Sequence, residues 1–287
     1  MAFRQRGSRS LTMDNLIAAM RSDQLVVDIG CGQGSFDYRR YPCRILGIDL
    51  DFAGGPQSVA PSRVSYVRAN SEDLPLATAS ADVIVCNHSL EHIAHYKQTL
   101  SEIRRVLTDN GVVWISVPNG FGFDDALYRF LYKGGGHVNR FSFDGLVNDV
   151  EQMTGMKLLQ WTPLTSSFIY CTPKRTDWPY LTRRLKFLYK LPAGNTLGIA
   201  LNSATRLIDK LLNSRLSMYG WGFVFGSPGT VIDSNLHSYF NVCIGCGAGH
   251  PFDSLQGFTN RHWGVKFYRC PRCAQTNPLF HPPAGFE

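Results

Sequence analysis

A chain of 287 residues that is 44% hydrophobic and 18% charged has the composition of a soluble globular protein, with room for one large domain or for a core domain carrying an appendage. No run approaches the roughly 18 apolar residues of a membrane span, Met1 to Leu11 has arginines without the apolar segment of a secretory signal, and there is no internal repeat or low-complexity tract. The net charge of +7 is unevenly placed: 15 Lys/Arg stand against 16 Asp/Glu up to residue 150, and 14 against 6 beyond it. The whole basic excess therefore lies in the second half, where it predicts either a solvated face or an anionic partner, membrane surface or nucleic acid.

Leu11 to Met20 spaces Leu11, Leu16, Ile17 and Met20 for one face of a helix. Val26-Val27-Asp28-Ile29 reads as a buried strand, delivered into a turn with glycines at alternate positions, Gly30, Gly32 and Gly34. Glycine supplies positive φ there and lets backbone approach a ligand. A second strand, Arg44 to Asp49, ends in an acid placed to accept from ribose hydroxyls. The short, Pro-containing stretch between Gly34 and Arg44 allows only a brief first crossover, and Asp51 to Ser62 is too rich in Gly and Pro for a second crossover helix. Val64 to Val67 is a third strand, followed by Arg68-Ala69-Asn70-Ser71-Glu72-Asp73-Leu74-Pro75. Ala81 to Asn87 is a fourth, followed by His88-Ser89-Leu90-Glu91-His92.

Tyr96 to Leu107 predicts an amphipathic helix ended by Asp109-Asn110-Gly111, and Val112 to Val117 a fifth strand. Asp124 to Tyr132 reads as a short helix. Ser142 is placed to cap a helix running to Thr154, with Gly155 as its stop and Met156 to Trp161 as a sixth strand. Residues 176–218 look like an addition to the sheet order. Two basic amphipathic helices, Tyr180 to Leu191 and Thr196 to Leu216, are expected to pack on their own domain through Leu197, Leu201, Ala204, Ile208 and Leu211 or Leu212, with an anionic membrane as the other taker. Trp221 to Phe225 reads as a last strand within a linking segment, 219–240.

The ordered set of acid-led Gly30-x-Gly32-x-Gly34 loop, strand-two Asp49, the acidic-Leu-Pro segment ending at Pro75 and Leu90-Glu91-His92 resembles the class I S-adenosylmethionine (SAM)-dependent methyltransferases of the type 11 group, over about the first 160 residues. The resemblance implies an α/β fold, a doubly wound, seven-stranded Rossmann-like methyltransferase sheet, in a core domain of residues 1–175, with Trp221 to Phe225 as the antiparallel seventh strand. It implies that the backbone around Gly30, Cys31, Gly32 and Gly34 shapes the methionine end of SAM, with Asp28 fixing the loop or the amino group. Asp49 and Leu50 would stand at the ribose, Asn70 and Ser71 at the adenine, and Asn87 again near the methionine end. Two acids suit a cation without phosphate better than they suit a dinucleotide. His92 fits a buried structural histidine as well as a catalytic one. His137, after three glycines, is the candidate base or substrate contact, although a histidine bonded to loop backbone would look the same.

Of the eight cysteines, Cys31, Cys43, Cys86 and Cys171 are scattered, while Cys243-x-x-Cys246 and Cys270-x-x-Cys273 form two knuckles. Four thiolates suit structural Zn2+, so residues 241–287 resemble a small zinc ribbon; redox dithiol chemistry is the competing reading. Paired C-x-x-C in an unsecreted chain favours metal over disulfides and predicts the cytosol, with peripheral membrane association left open by the basic half. The expected function is methyl transfer from SAM to a small or lipid-like acceptor. The alternatives are an RNA or protein acceptor held by Arg261, Lys266, Arg269 and Arg272, and a non-catalytic module that kept the fold.

Overall fold

The structure is a computed structural model and describes residues 12–32, 34–51, 62–132, 136–166, 168, 194–230, 240–243, 249–262 and 264–281. After a short helix α1 (Met13–Ala18), strands β1 (Leu25–Ile29), β2 (Arg44–Asp49), β3 (Val64–Arg68) and β4 (Ala81–Asn87) run parallel, followed by helix α2 (Tyr96–Val106) and β5 (Leu107–Pro118). Helices α3 (Phe123–Tyr132) and α4 (Phe143–Thr154) lead to β6 (Lys157–Thr165), and α5 (Gly194–Leu212) leads to β7 (Met218–Gly226). The sheet order is β3-β2-β1-β4-β5-β7-β6, with β7 antiparallel to both neighbours. This is the seven-stranded, doubly wound sheet expected from the sequence.

The pleat of β1 explains why both faces are covered. Val27 and Ile29 enter one apolar layer with Leu100, Ile103 and Val106 of α2 and Leu146 and Val150 of α4. Val26 enters the other, with Leu16 and Ile17 of α1, Tyr38 and Trp114. A strand buried on both faces reads as a continuous apolar run, which is how Val26 to Ile29 reads. The caps of α4 are as expected: Ser142 Oγ accepts from Gly145 N at 3.2 Å, and Gly155 closes the helix at φ +69°.

The first crossover is as brief as expected, a single 3-10 turn, Tyr38–Arg40. Two local expectations change. Asp109-Asn110-Gly111 does not part helix from strand, because β5 starts directly at Leu107; Leu107 pairs with Ala81 and Val112 with Val83, so the turn residues are absorbed in a bulge. Helix α5 buries Asn202, Ser203 and Thr205, whereas Ile208, Leu211 and Leu212 stay exposed. Small polar side chains are what allow close approach here: Ser203 Oγ donates to His262 O at 3.2 Å, and the Arg206 guanidinium lies 4.8 Å from the Phe280 ring centre. The stretch 51–62, expected to be too rich in Gly and Pro for a crossover helix, and the helix expected at 180–191 fall wholly or mainly outside the described residues. No described helix is long and apolar enough to cross a membrane.

The last part of the chain is strand-poor and small. Strand β8 (Phe240–Val242) pairs with β9 (Gly249–Pro251), while β10 (Thr259–His262), β11 (Val265–Arg269) and β12 (Thr276–Pro278) form a three-stranded sheet. Helix α5 packs on β11.

Candidate active site

The strand order reverses between β1 and β4, the position at which open α/β sheets bind ligands beyond their carboxyl ends. A cleft of about 210 Å³ lies there, lined by Gly30, Asp49, Leu50, Ser71, His88 and His92, with Ile29, Ile48, Ala69, Ser89 and Ile93 completing the wall.

The glycine turn is held from beneath by Asp28. Its buried carboxylate accepts from Ser35 N at 2.9 Å, Ser35 Oγ at 2.7 Å and Tyr38 OH at 2.5 Å, and it does not line the cleft. Of the two roles open to Asp28, the structure supports fixing the loop. Burial pushes its carboxyl up to about 6, against the pull of Tyr38 and Ser35. A folded value above the unfolded one means that stability from this group is fullest below about pH 4 and is lost as pH rises through about 6, some 3 kcal/mol in all. Asp28→Asn can keep the same three contacts, with its amide donating to Ser35 Oγ. Denaturant titrations across that range should find the fall in wild type and not in the variant. Carboxylates held low by partners, such as Glu102 beside Arg105, run the opposite way in both proteins and cancel in the difference. Parallel profiles would refute the assignment.

Gly30 stands at φ +68°, and a Cβ there would lie 2.5 Å from Ser89 Cβ on the β4 loop. Left-handed backbone costs a non-glycine residue about 1–2 kcal/mol, and the overlap adds to it. Gly30→Ala should therefore lower both stability and ligand binding. Adding Ser89→Gly should restore part of the stability, because the clash goes while the φ penalty stays; strictly additive losses in a double-mutant cycle would show that the two loops do not touch.

Asp49 is the carboxylate that reaches the cleft. Its Oδ2 accepts from Gly32 N at 2.7 Å and its Oδ1 from Asp51 N at 3.1 Å, so it ties the end of β2 to the glycine turn. Asp28 and Asp49 thus share one corner, the first beneath the loop and the second in front of it.

The remaining expected residues divide. Gly30, Leu50 and Ser71 line the cleft. Cys31 lies buried behind the turn, its thiol pushed up to about 12 by burial, with its backbone N bonded to Ile48 O and its O to Gly34 N, and it does not line the cleft. Gly32 and Gly34 shape the turn at φ +51° and +107°. Asn70 is exposed at the rim, its amide oxygen already accepting from Glu72 N at 3.1 Å, and its neighbours Ala69 and Ser71 face the cleft instead. Asn87 accepts from Ser116 Oγ at 2.6 Å and sits behind the wall.

Sequence reasoning passed over His88, although positive φ at a non-glycine residue marks it. It stands at φ +53°, lines the cleft and shares a 3.0 Å hydrogen bond with Tyr219 of β7. Such backbone strain gathers at functional sites. His137 lies beside the cleft: its ring is 4.8 Å from that of His92, and its Nδ1 is 2.8 Å from Asp125 Oδ1. Burial would raise the Asp125 carboxyl, but His137 and Arg129 together hold it below the usual carboxylate range.

An open doubly wound sheet with an antiparallel seventh strand, and an acid-braced glycine turn at its switch point, defines the class I SAM-dependent methyltransferase fold. Residues 27–115 match the family model described as a methyltransferase domain. A probable S-adenosylmethionine-dependent methyltransferase of Mycolicibacterium smegmatis is 37% identical over 108 residues, 34% of this chain and 39% of its own. The ubiquinone/menaquinone biosynthesis C-methyltransferase UbiE of Campylobacter jejuni is 25% identical over 158 residues, 48% of this chain and 67% of its own. The match thus spans well under half the length of the first of these relatives. Among solved structures, the YcgJ protein of Bacillus subtilis is 17% identical with a TM-score of 0.49, covering 74% of this chain and 95% of that one.

Proposed function

We propose that the chain transfers a methyl group from SAM to a small or lipid-like acceptor. The observation that carries this reading is a single cleft, lined on one side by Gly30 and by Asp49 with Gly32 N–H in its grip, and on the other by His88 and His92 after β4. The cleft residues fit the donor: one carboxylate with acceptor capacity to spare, a glycine where a Cβ would collide and, among the described lining residues, no cluster of cations suited to phosphate. When bound, SAM supplies an electrophilic methyl on a sulfonium. The protein's work is then placement of the acceptor in line with that methyl and exclusion of water. A histidine matters only where the acceptor must lose a proton; His88 in the wall and His137 behind His92 are the groups positioned for it.

The acceptor class draws on two supports. UbiE, one of the relatives, is named for quinone biosynthesis. The carboxyl side of the sheet also presents apolar surface: Phe121 is 72% exposed, Phe130 78% and Val138, next to His137, 63%. A polymer acceptor is the second reading, favoured by the exposure of Arg261, Arg269 and Arg272 in the C-terminal module. Labelled SAM incubated with cell extract and the full chain, then sorted into lipid, RNA and protein, decides between them. Label in the lipid or small-molecule fraction supports the first reading and label in RNA or protein the second. Calorimetry showing no SAM binding would leave only a non-catalytic module.

For the C-terminal module we propose one structural zinc held by Cys243, Cys270, Cys273 and Cys246, the last of which lies outside the described residues. The three described sulfurs lie within 4.8 Å of one another, and Cys243 Sγ is 3.6 Å from Cys273 Sγ. Thiolates about 2.3 Å from a shared tetrahedral centre stand about 3.8 Å apart, whereas a disulfide needs about 2.05 Å. Asn277 Nδ2 approaches Cys243 Sγ at 3.6 Å, the N–H···S contact that steadies a bound thiolate.

A further inference from the structure

We propose that Glu91, His92 and His137 form a divalent-cation site on the acceptor side of the cleft, which holds an oxygen-bearing acceptor beside the transferred methyl. The cation site stands on its own observations; only its use in holding an acceptor rests on the methyltransferase reading above.

The three side chains offer ligand atoms that lie within 4.8 Å of one another. Their outer contacts are those of a metal site. His137 donates Nδ1–H to Asp125 Oδ1 at 2.8 Å, and His92 donates Nδ1–H to Gly136 O at 3.1 Å. Each bond fixes the tautomer in which Nε2 keeps its lone pair, the arrangement by which carboxylates and backbone carbonyls orient metal-ligating histidines. Asp125 is itself held by Arg129 at 2.6 Å.

The carboxylate gives an independent indication. Glu91 is 1% exposed, and its Oε2 is buried with no hydrogen-bond partner among the described residues; Oε1 lies 3.7 Å from His88 Nδ1. A buried carboxylate oxygen left unmet is costly, and a cation between it and the two imidazoles would meet it.

The ligands are also preorganised. Val138 N and Asn139 N donate to Glu91 O at 2.8 and 3.1 Å, and Asn139 Nδ2 donates to Leu90 O at 2.9 Å and Ile93 O at 2.7 Å. Arg129 donates to His137 O and Asn139 O, both at 2.9 Å. Two segments more than forty positions apart are thereby locked together at the point where their ligands converge, the support a binding site needs.

Two imidazoles and one carboxylate suit a borderline transition cation such as Mn2+ or Zn2+, and three protein ligands leave coordination open. His92 is exposed and lines the cleft, so the open positions face the acceptor space. An acceptor that presents a hydroxyl, enol or carboxylate oxygen is the class such a cation would hold.

The test is a Mn2+ titration of the full chain without SAM, followed by the paramagnetic resonance of free Mn2+. Mn2+ is chosen because the cysteine thiolates compete for it poorly. One saturable Mn2+ per chain is expected, weakened at least ten-fold in His92→Ala and in Glu91→Gln, and unchanged in Asp49→Ala. Should Glu91→Gln not fold, the exposed His92 gives the decisive variant. No saturable binding to wild type, or equal binding by wild type and His92→Ala, overturns the site. Loss of SAM binding with Mn2+ binding intact would strike the proposed function and leave the cation site standing.

Discussion

The Asp49→Ala variant is expected to bind SAM about 30- to 900-fold more weakly than wild type, a loss of ~2–4 kcal/mol. An ionised carboxylate offers about four acceptor positions. Gly32 N–H and Asp51 N–H occupy two of them and leave a pair for the two ribose hydroxyls. Charge-assisted bonds contribute about 1.5–3 kcal/mol each, and water recovers part of that once the site is empty. The variant also frees Gly32 N–H, so the turn that shapes the methionine end loosens at the same time. Asp49→Asn separates the two effects in part, because it keeps one acceptor oxygen while losing the charge and the second acceptor; its affinity should fall between the other two. Since Asp49 sits at the rim of the fold, unfolding stability should drop by no more than about 2 kcal/mol, the worth of the two lost backbone contacts, from Gly32 N and Asp51 N. Calorimetry beside a denaturant titration reads both quantities. Binding within three-fold of wild type would remove the ribose role from Asp49 and take the strongest support from the cofactor reading.

How far the residues announced this cleft depends on how local its contacts are. The run from Val26 to Gly34 is legible because strand, glycine turn and acid are contiguous, and the caps Ser142 and Gly155 are legible because a helix end needs only its own neighbours. Asn70 is ambiguous for the same reason: a side chain able to accept from an adenine amino group can also accept from the backbone two residues on, as it does here from Glu72 N. Helix α5 misleads through its periodicity. Its apolar stripe is real, yet the packed face is the small polar one, since Ser203 and Thr205 let the helix approach β11 more closely than leucines would. What the pattern could not show at all is the meeting of Glu91 and His92 with His137, or of His88 with Tyr219. Those contacts span from 45 to 131 positions and exist only because β4, β5 and β7 bring their ends to one edge. The glycine-turn side of the cleft is written in sequence-local motifs, and its histidine side is written in topology.

Metal removal is expected to undo the C-terminal module while the seven-stranded sheet survives. The module's buried cluster is Cys243, Leu255, Tyr268, Cys270 and Leu279, with Phe252 against it, and three of its strands have only three residues. So little apolar surface does not offset the entropy of ordering the chain, and in such modules the apparent zinc-binding free energy, ~10–16 kcal/mol, is in effect the folding free energy. A chelator should therefore expose the chain beyond about residue 240 to limited proteolysis, leaving a resistant core that still binds SAM. Helix α5 would feel the loss next, because Arg206 rests on the Phe280 ring and bonds Leu279 O, and Ser203 bonds His262 O. Cys270→Ser should reproduce the effect without chelator and reduce bound zinc from about one per chain to near none, whereas Cys31→Ser, at a thiol buried behind the glycine turn, should leave the zinc content unchanged. The thiol spacing already argues against a disulfide in place of the ion. A metal-free protein whose C-terminal part stays protected would refute the zinc and return the two knuckles to redox chemistry, where a dithiol titration would find them reactive.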